Sequence, residues 1–305
     1  MSSGSKLLLI GMRGSGKTSF LAALWHLIEA GEISASFVAS QLQPDREYLN
    51  RIRDNWLKFQ QVGRTSLRSQ ETVSLQLRDT QKDSAVDLTL PDLSGELFRL
   101  QWVTRKATRP YADFTADASG VLLLIHPTVE KSQLIAVPGS VLGSEDNLGT
   151  ADSKTQTAEG GSGITDTLNI REWGHDFSPT QVKLVELLQF VVFLRKSVTP
   201  LPIAVVISAW DLVRDPVLPI SWLESHLPLL FQFLTANADS MPSQVYGISA
   251  LGGDLVKDLD KLRQEVVPSR RIKVFVDKLE PTHDLTAPIR FALGLGEELS
   301  ASNSR

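Results

Sequence analysis

The run Gly11-Met12-Arg13-Gly14-Ser15-Gly16-Lys17-Thr18 constrains this chain more than any other feature. Ahead of it, Lys6–Ile10 is a short apolar stretch of the kind that forms a buried parallel strand; behind it, Ser19–Ile28 carries apolar residues at helical spacing. Placed between a strand and a helix, G-x-x-x-x-G-K-[ST] is a loop that wraps phosphate. Its glycines let successive N–H groups converge on an anion at the positive end of the helix. Arg13, Gly14, Ser15, Gly16, Lys17, Thr18 and Ser19 are the candidate contacts. Lys17 would reach the β- and γ-phosphates, and the Thr18 hydroxyl would ligate Mg²⁺. The sequence thus predicts a chain that binds a nucleoside triphosphate.

Strand-like runs recur along the remaining length, at Thr72–Arg78, Val86–Leu90, Gly120–Ile125, Ile203–Ser208 and Gln244–Ile248. The first alternates cleanly, as an edge strand with one wet face does, whereas 121–125 and 203–207 are continuously apolar, as central parallel strands are. Helical patterns fall near Asp45–Gln61, Thr180–Lys196, Ser221–Ala236, Asp254–Gln264 and Asp284–Leu293. Alternating strands and helices predict an α/β fold in three layers: a mostly parallel sheet with one antiparallel edge strand and helices on both faces. The 305 residues read as a single domain carrying two additions. One is a helical insertion at about 40–64, with Tyr48, Ile52, Trp56 and Phe59 on one side. The other spans about 137–178, rich in Gly, Ser, Thr and Asp, and is expected to be flexible because it has too little apolar surface to order itself.

Bulk properties exclude several classes. A net charge of −4 gives no reason to expect nucleic acid as a partner. Zero cysteines rule out disulfides and thiolate chemistry, and fit a cytoplasmic protein. No secretory leader is expected, because the first apolar run is short and leads straight into the phosphate loop. The most hydrophobic helical stretch, Val182–Leu194, falls short of the ~20 residues that span a bilayer. The five histidines show no metal-ligand spacing.

Three further segments narrow the nucleotide. Asp92-Leu93-Ser94-Gly95 follows the second apolar strand after the loop, where D-x-x-G places a carboxylate beside Mg²⁺ and a glycine N–H beside the γ-phosphate. Asp211, just past the strand 203–208, can accept from guanine N1–H and N2–H₂ together, a donor pair that adenine lacks; an N-cap or turn carboxylate is the structural alternative. Val245–Leu251 is a strand ending in Ser249-Ala250-Leu251.

With these motifs in order, the chain resembles P-loop GTPases of the Ras-like and translation-factor superclass, and most closely the bacterial double-GTPase domains. The likeness rests on Ile10–Leu24, Asp92–Phe98, Ser208–Val213 and His283–Ile289, and extends from residue 6 to about 294. It implies a G-domain fold and a cytoplasmic molecular switch that binds GTP or GDP with Mg²⁺, in a family associated with bacterial conflict and defence systems. It also implies that Ser249, Ala250 and Leu251 contact the guanine O6. Catalytic roles would fall to Lys17, Gly95 and Glu96, and metal ligation to Thr18, Asp92 and a threonine before the alternating strand, for which Thr65 is the first choice and Thr72 the second. Switch segments at about 63–71 and 93–109 would meet a protein effector or regulator, and a nucleotide-dependent dimer is a further expectation.

The chain departs from the family pattern at two places. Ser208-Ala209 replaces the Asn/Thr-Lys that usually precedes the base-reading Asp, so the lysine that braces the purine is missing. Glu96 stands where many small GTPases keep a water-orienting glutamine; a helix N-terminal carboxylate is its other reading. Arg13 can contact phosphate in cis, block an incoming arginine finger, or face solvent. The sequence is read as a guanine-nucleotide switch with slow Mg²⁺-dependent GTP hydrolysis; a scaffold that holds triphosphate without hydrolysing it, or a P-loop ATPase, is the alternative.

Overall fold

The computed structural model describes residues 4–40, 46–60, 71–93, 95–128, 178–255 and 257–295. Strand β1 (Ser5–Ile10) runs through the phosphate loop into helix α1 (Lys17–Ala30). Then come β2 (Phe37–Ala39), α2 (Glu47–Leu57), and the hairpin of β3 (Glu71–Asp79) with β4 (Ser84–Asp92). Next are α3 (Gly95–Thr104), α4 (Arg109–Ala116), β5 (Gly120–Ile125), α5 (Thr180–Leu194) and β6 (Ile203–Ile207). The chain closes with α6 (Pro219–His226), α7 (Pro228–Ala236), β7 (Ser243–Ser249), α8 (Leu259–Gln264), β8 (Lys273–Phe275) and α9 (Ala287–Ala292).

The strands form one eight-stranded sheet in the order β2-β3-β4-β1-β5-β6-β7-β8. The five central strands are parallel, whereas β3 runs antiparallel to β4 and β8 antiparallel to β7. Alternation of side chains along each strand divides the core in two. Leu7, Leu9, Leu122, Leu124, Ala204 and Val206 face α1 and α9. Their neighbours Leu8, Ile10, Val121, Leu123, Val205 and Ile207 face α3, α5, α6 and α7. The layered α/β architecture read from the sequence is the one observed.

Some local readings shift. The alternating strand keeps its wet face, with Val73, Leu75 and Leu77 buried and Ser74 and Gln76 exposed, but the three-residue β2 lies outside it. At the other edge β8 adds a second short strand; three residues are too few to leave a periodic signal. The pattern at 221–236 is two helices, because Pro228 has no N–H to continue α6 and instead opens α7. In α5 one face is buried through Leu184, Leu187, Leu188 and Val191, while Phe193 is 83% exposed. The insertion at 40–64 contributes α2, whose Leu49, Ile52 and Trp56 cover the far side of α1. The segment 137–178 lies outside the described residues apart from its last position.

The tail fastens the β2 edge. Asp284 accepts from the Ser36 N–H (2.9 Å), and the Thr286 hydroxyl accepts from the Phe37 N–H (3.1 Å). Arg290 of α9 pairs with Asp79 at 2.6 Å, where Asp79 is 0% and Arg290 7% exposed. The same carboxylate caps the β3–β4 turn by accepting from the Gln81 and Lys82 N–H groups at 2.8 and 3.1 Å. Burial alone would raise the pKa of Asp79, but Arg290 and the two N–H donors outweigh it and hold the carboxyl below its usual value. A lowered folded pKa stabilises the fold above the unfolded value and loses that contribution as pH falls through the folded one. Asp79→Ala is therefore expected to cost about 3–5 kcal/mol in urea unfolding at neutral pH, because it strands the buried guanidinium. The difference between wild type and variant should shrink as the medium is taken below the ordinary carboxylate range.

Candidate nucleotide site

The site gathers at the C-terminal ends of the parallel strands, where open α/β sheets bind ligands. Gly16 supplies the N-cap of α1 in a left-handed conformation and offers no capping side chain, so the first-turn N–H groups face the loop's hollow. Lys17 is 7% exposed, and its ammonium turns back to donate to the Gly11 carbonyl at 2.7 Å and the Met12 carbonyl at 3.2 Å. The Phe98 ring of α3 stands 5.7 Å from that nitrogen. A buried ammonium held against carbonyl oxygens is poised to bridge from the loop to a phosphate.

The D-x-x-G segment meets the same loop. Because β4 pairs with β1, its last residue, Asp92, comes to the loop's level. Gly95 opens α3 against the Arg13 backbone: a Cβ here would stand 2.5 Å from Arg13 N and Cα, so only glycine allows the approach. Arg13 and Glu96 then pair across the junction at 2.8 Å. Both are partly exposed, which limits the pair to about 0.2–1 kcal/mol. The residues present suit Mg²⁺: the Thr18 hydroxyl in the first turn of α1 and the carboxylate residue ending β4 are hard oxygen donors. Among the described residues no group of three or more His, Asp or Glu could cage a metal. A metal here would take the rest of its shell from phosphate and water, as Mg²⁺ does. Thr65 lies outside the described residues, as does the first switch segment up to residue 70. Thr72 stands exposed on β3.

On the base side, Ser208 buttresses the phosphate loop. Its N–H donates to the Ile125 carbonyl at 2.8 Å, and a Cβ on Gly16 would lie 3.1 Å from its side chain. Ala209 is left-handed at φ 44°. Trp210 points into the core, 7% exposed and packed on Trp222 and Phe275, so it does not cover a base. Asp211 accepts a hydrogen bond from the Ser249 hydroxyl, which joins the two base-side motifs. A cavity of about 270 Å³ opens beside them, and Lys273 and Phe275 of β8 share its lining. Ala250 and Leu251 follow at the end of β7, half-buried.

Sequence reasoning missed three neighbours. His126, at the end of β5, has its pKa lowered by burial, opposed by the Asp211 carboxylate. Its place just past a buried strand was a usable signal. Lys273 depends on β8 and left none, and Trp56 was legible only as a core position.

A phosphate loop between β1 and α1, a D-x-x-G at the end of β4 and an Asp–Ser pair across β6 and β7 together define the P-loop GTPase class. The Double-GTPase 1 family profile matches residues 8–292, and the chain belongs to that family. Among solved structures it is similar to the signal recognition particle receptor SRβ-GTP/SRX complex from Chaetomium thermophilum, at 14% identity over 82% of this chain and 92% of that one (TM-score 0.39). It is also similar to the S. cerevisiae Ski7 GTPase-like domain bound to GTP, at 15% identity over 82% of this chain and 43% of that one (TM-score 0.37). The bacterial selenocysteine-specific elongation factor EF-Sec matches at 11% identity over 88% of this chain and 29% of that one (TM-score 0.33). The chain thus spans less than half of the latter two. No curated protein matches it.

Gly95→Ala should force the loop and α3 apart. We expect a loss of about 1–3 kcal/mol in chemical unfolding and weaker triphosphate binding by calorimetry.

Proposed function

We propose that this chain is a single G domain acting as a guanine-nucleotide switch with slow, Mg²⁺-dependent GTP hydrolysis. The observation that carries the reading is the gathering of Lys17, Gly95 and the Asp211–Ser249 pair at the C-terminal ends of the parallel strands. In this reading, the loop N–H groups from Arg13 to Ser19 and the Lys17 ammonium bind the phosphates. Thr18, Asp92 and Thr65 would hold Mg²⁺, which would supply charge neutralisation to the triphosphate. The Gly95 N–H reports the γ-phosphate to α3. Asp211 accepts from the guanine N1–H and N2–H₂, while the backbone of Ser249, Ala250 and Leu251 donates to its O6.

The Arg13–Glu96 pair supports slow turnover. A carboxylate engaged by the loop's own arginine is a poor substitute for a neutral water-orienting amide, and its charge opposes charge developing on the phosphoryl group. The same pair favours, as a second reading, a scaffold that holds triphosphate without hydrolysing it.

The segments 63–71 and 93–109 are read as switches ordered by the γ-phosphate and released on its loss. A protein effector, a regulator or a second copy of the chain would dock there. Among the described residues no helix is long and apolar enough to cross a membrane. The absence of cysteine and the family resemblance support a cytoplasmic location, and the resemblance supports a place in a bacterial conflict system.

Lys17→Ala should abolish GTP binding while the apo protein melts at an unchanged temperature, and retained GTP affinity would sink the phosphate-loop assignment. Asp211→Asn should bring GTP and ATP affinities together in a competition experiment. Phosphate release over hours at saturating GTP and Mg²⁺ separates the hydrolase from the scaffold.

A further inference from the structure

The inserted helix reaches the loop assigned above to the purine. Trp56, in the last turn of α2 and 1% exposed, donates its indole N–H to the Ala250 carbonyl at 2.9 Å. Behind it Arg271, 5% exposed, lies with its guanidinium 4.2 Å from the Trp56 ring and 4.6 Å from the Phe59 ring. A nearly inaccessible guanidinium within cation–π reach of two aromatic rings ties the three side chains together. The Arg271 backbone presses on Gly252, where a Cβ would stand 2.5 Å from the Arg271 carbonyl and the φ of 90° suits only glycine. The Gly252 N–H donates to the Ser249 hydroxyl at 3.1 Å, and that hydroxyl donates to Asp211. Phe59 is held at φ 58°, a strained conformation for a bulky residue that persists only where its surroundings impose it.

We propose that Trp56, backed by Arg271, is a positioning residue for guanine recognition, which holds the Ser249–Leu251 backbone in its base-reading geometry and ties that loop to the chain entering the first switch segment. The inference rests on the guanine reading above. Its physical basis is the planarity of the peptide: the Ala250 C=O and the Leu251 N–H belong to one trans unit, so anchoring the carbonyl on one side aims the N–H to the other. The usual brace on this side of the site, a lysine at position 209, is an alanine here. Helix α2 supplies a brace of its own, through Trp56 on the Ala250 carbonyl.

Calorimetry with three probes tests this: GDP, ADP and inorganic tripolyphosphate, the last carrying phosphate without a base. Trp56→Phe keeps the ring and removes the donor. It is expected to weaken GDP about 3–10-fold, the worth of one net hydrogen bond, and to leave tripolyphosphate unchanged. Arg271→Lys, which removes the guanidinium without touching Trp56, should give the same selective loss. Trp25→Phe is the control, because it removes another indole bond to α2, that to Asn50 at 3.0 Å, which does not touch the Ser249–Leu251 backbone; it should leave GDP binding intact. Unchanged GDP affinity in Trp56→Phe, equal losses for GDP and tripolyphosphate, or an equal loss in Trp25→Phe would each overturn the proposal. Equal wild-type affinities for GDP and ADP would instead overturn the guanine reading, and this inference with it.

Discussion

The site depends on one buried cation. The Lys17 ammonium is drawn out of solvent and hung on the Gly11 and Met12 carbonyls. A charge that is nearly inaccessible needs such partners, and they exist only because the loop doubles back on itself between β1 and α1. The loop's shape depends in turn on what stands around it: Gly95 pressed to Arg13 on one flank and Ser208 against Gly16 on the other. Moving either flank moves the ammonium. Two motifs well separated in sequence, at Gly95 and at Ser208, thus press on the same loop.

The legible part of this arrangement was the part written in local pattern. The phosphate loop, the buried strands at 120–125 and 203–207 and the alternating strand at 72–78 each carry their own period or spacing, and each appears where it was read. Asp211 and Ser249 stood out in the sequence because the first follows an apolar strand and the second ends one, and a hydrogen bond joins them. Trp210, which follows a left-handed Ala209, is turned into the core, a placement that no local spacing announces. The short edge strands β2 and β8 had no period to show. They exist because tertiary partners satisfy their backbones: Asp284 and Thr286 for β2, and the pairing with β7 for β8.

Function was legible to the extent that chemistry is local. A carboxylate, a hydroxyl and a lysine at fixed spacings identify the ligand class. The coupling between parts is not local. Trp56 and Ala250 are 194 residues apart, and Arg13 and Glu96 belong to separate motifs with separate readings. Their pairing changes what each can do, and no spacing rule announces it.

The fastening of the tail to β2 bears on the solubility of the chain. β2 offers three residues against the nine of β3. It keeps its place through Asp284 and Thr286, while Arg290 grips the far end of β3 through Asp79. A protease cut that removes the tail would release that cover and bare a long strand with one apolar face and an open ladder of N–H and C=O groups. Such an edge recruits the nearest strand of another molecule, so clipped chains would be expected to gather into aggregates.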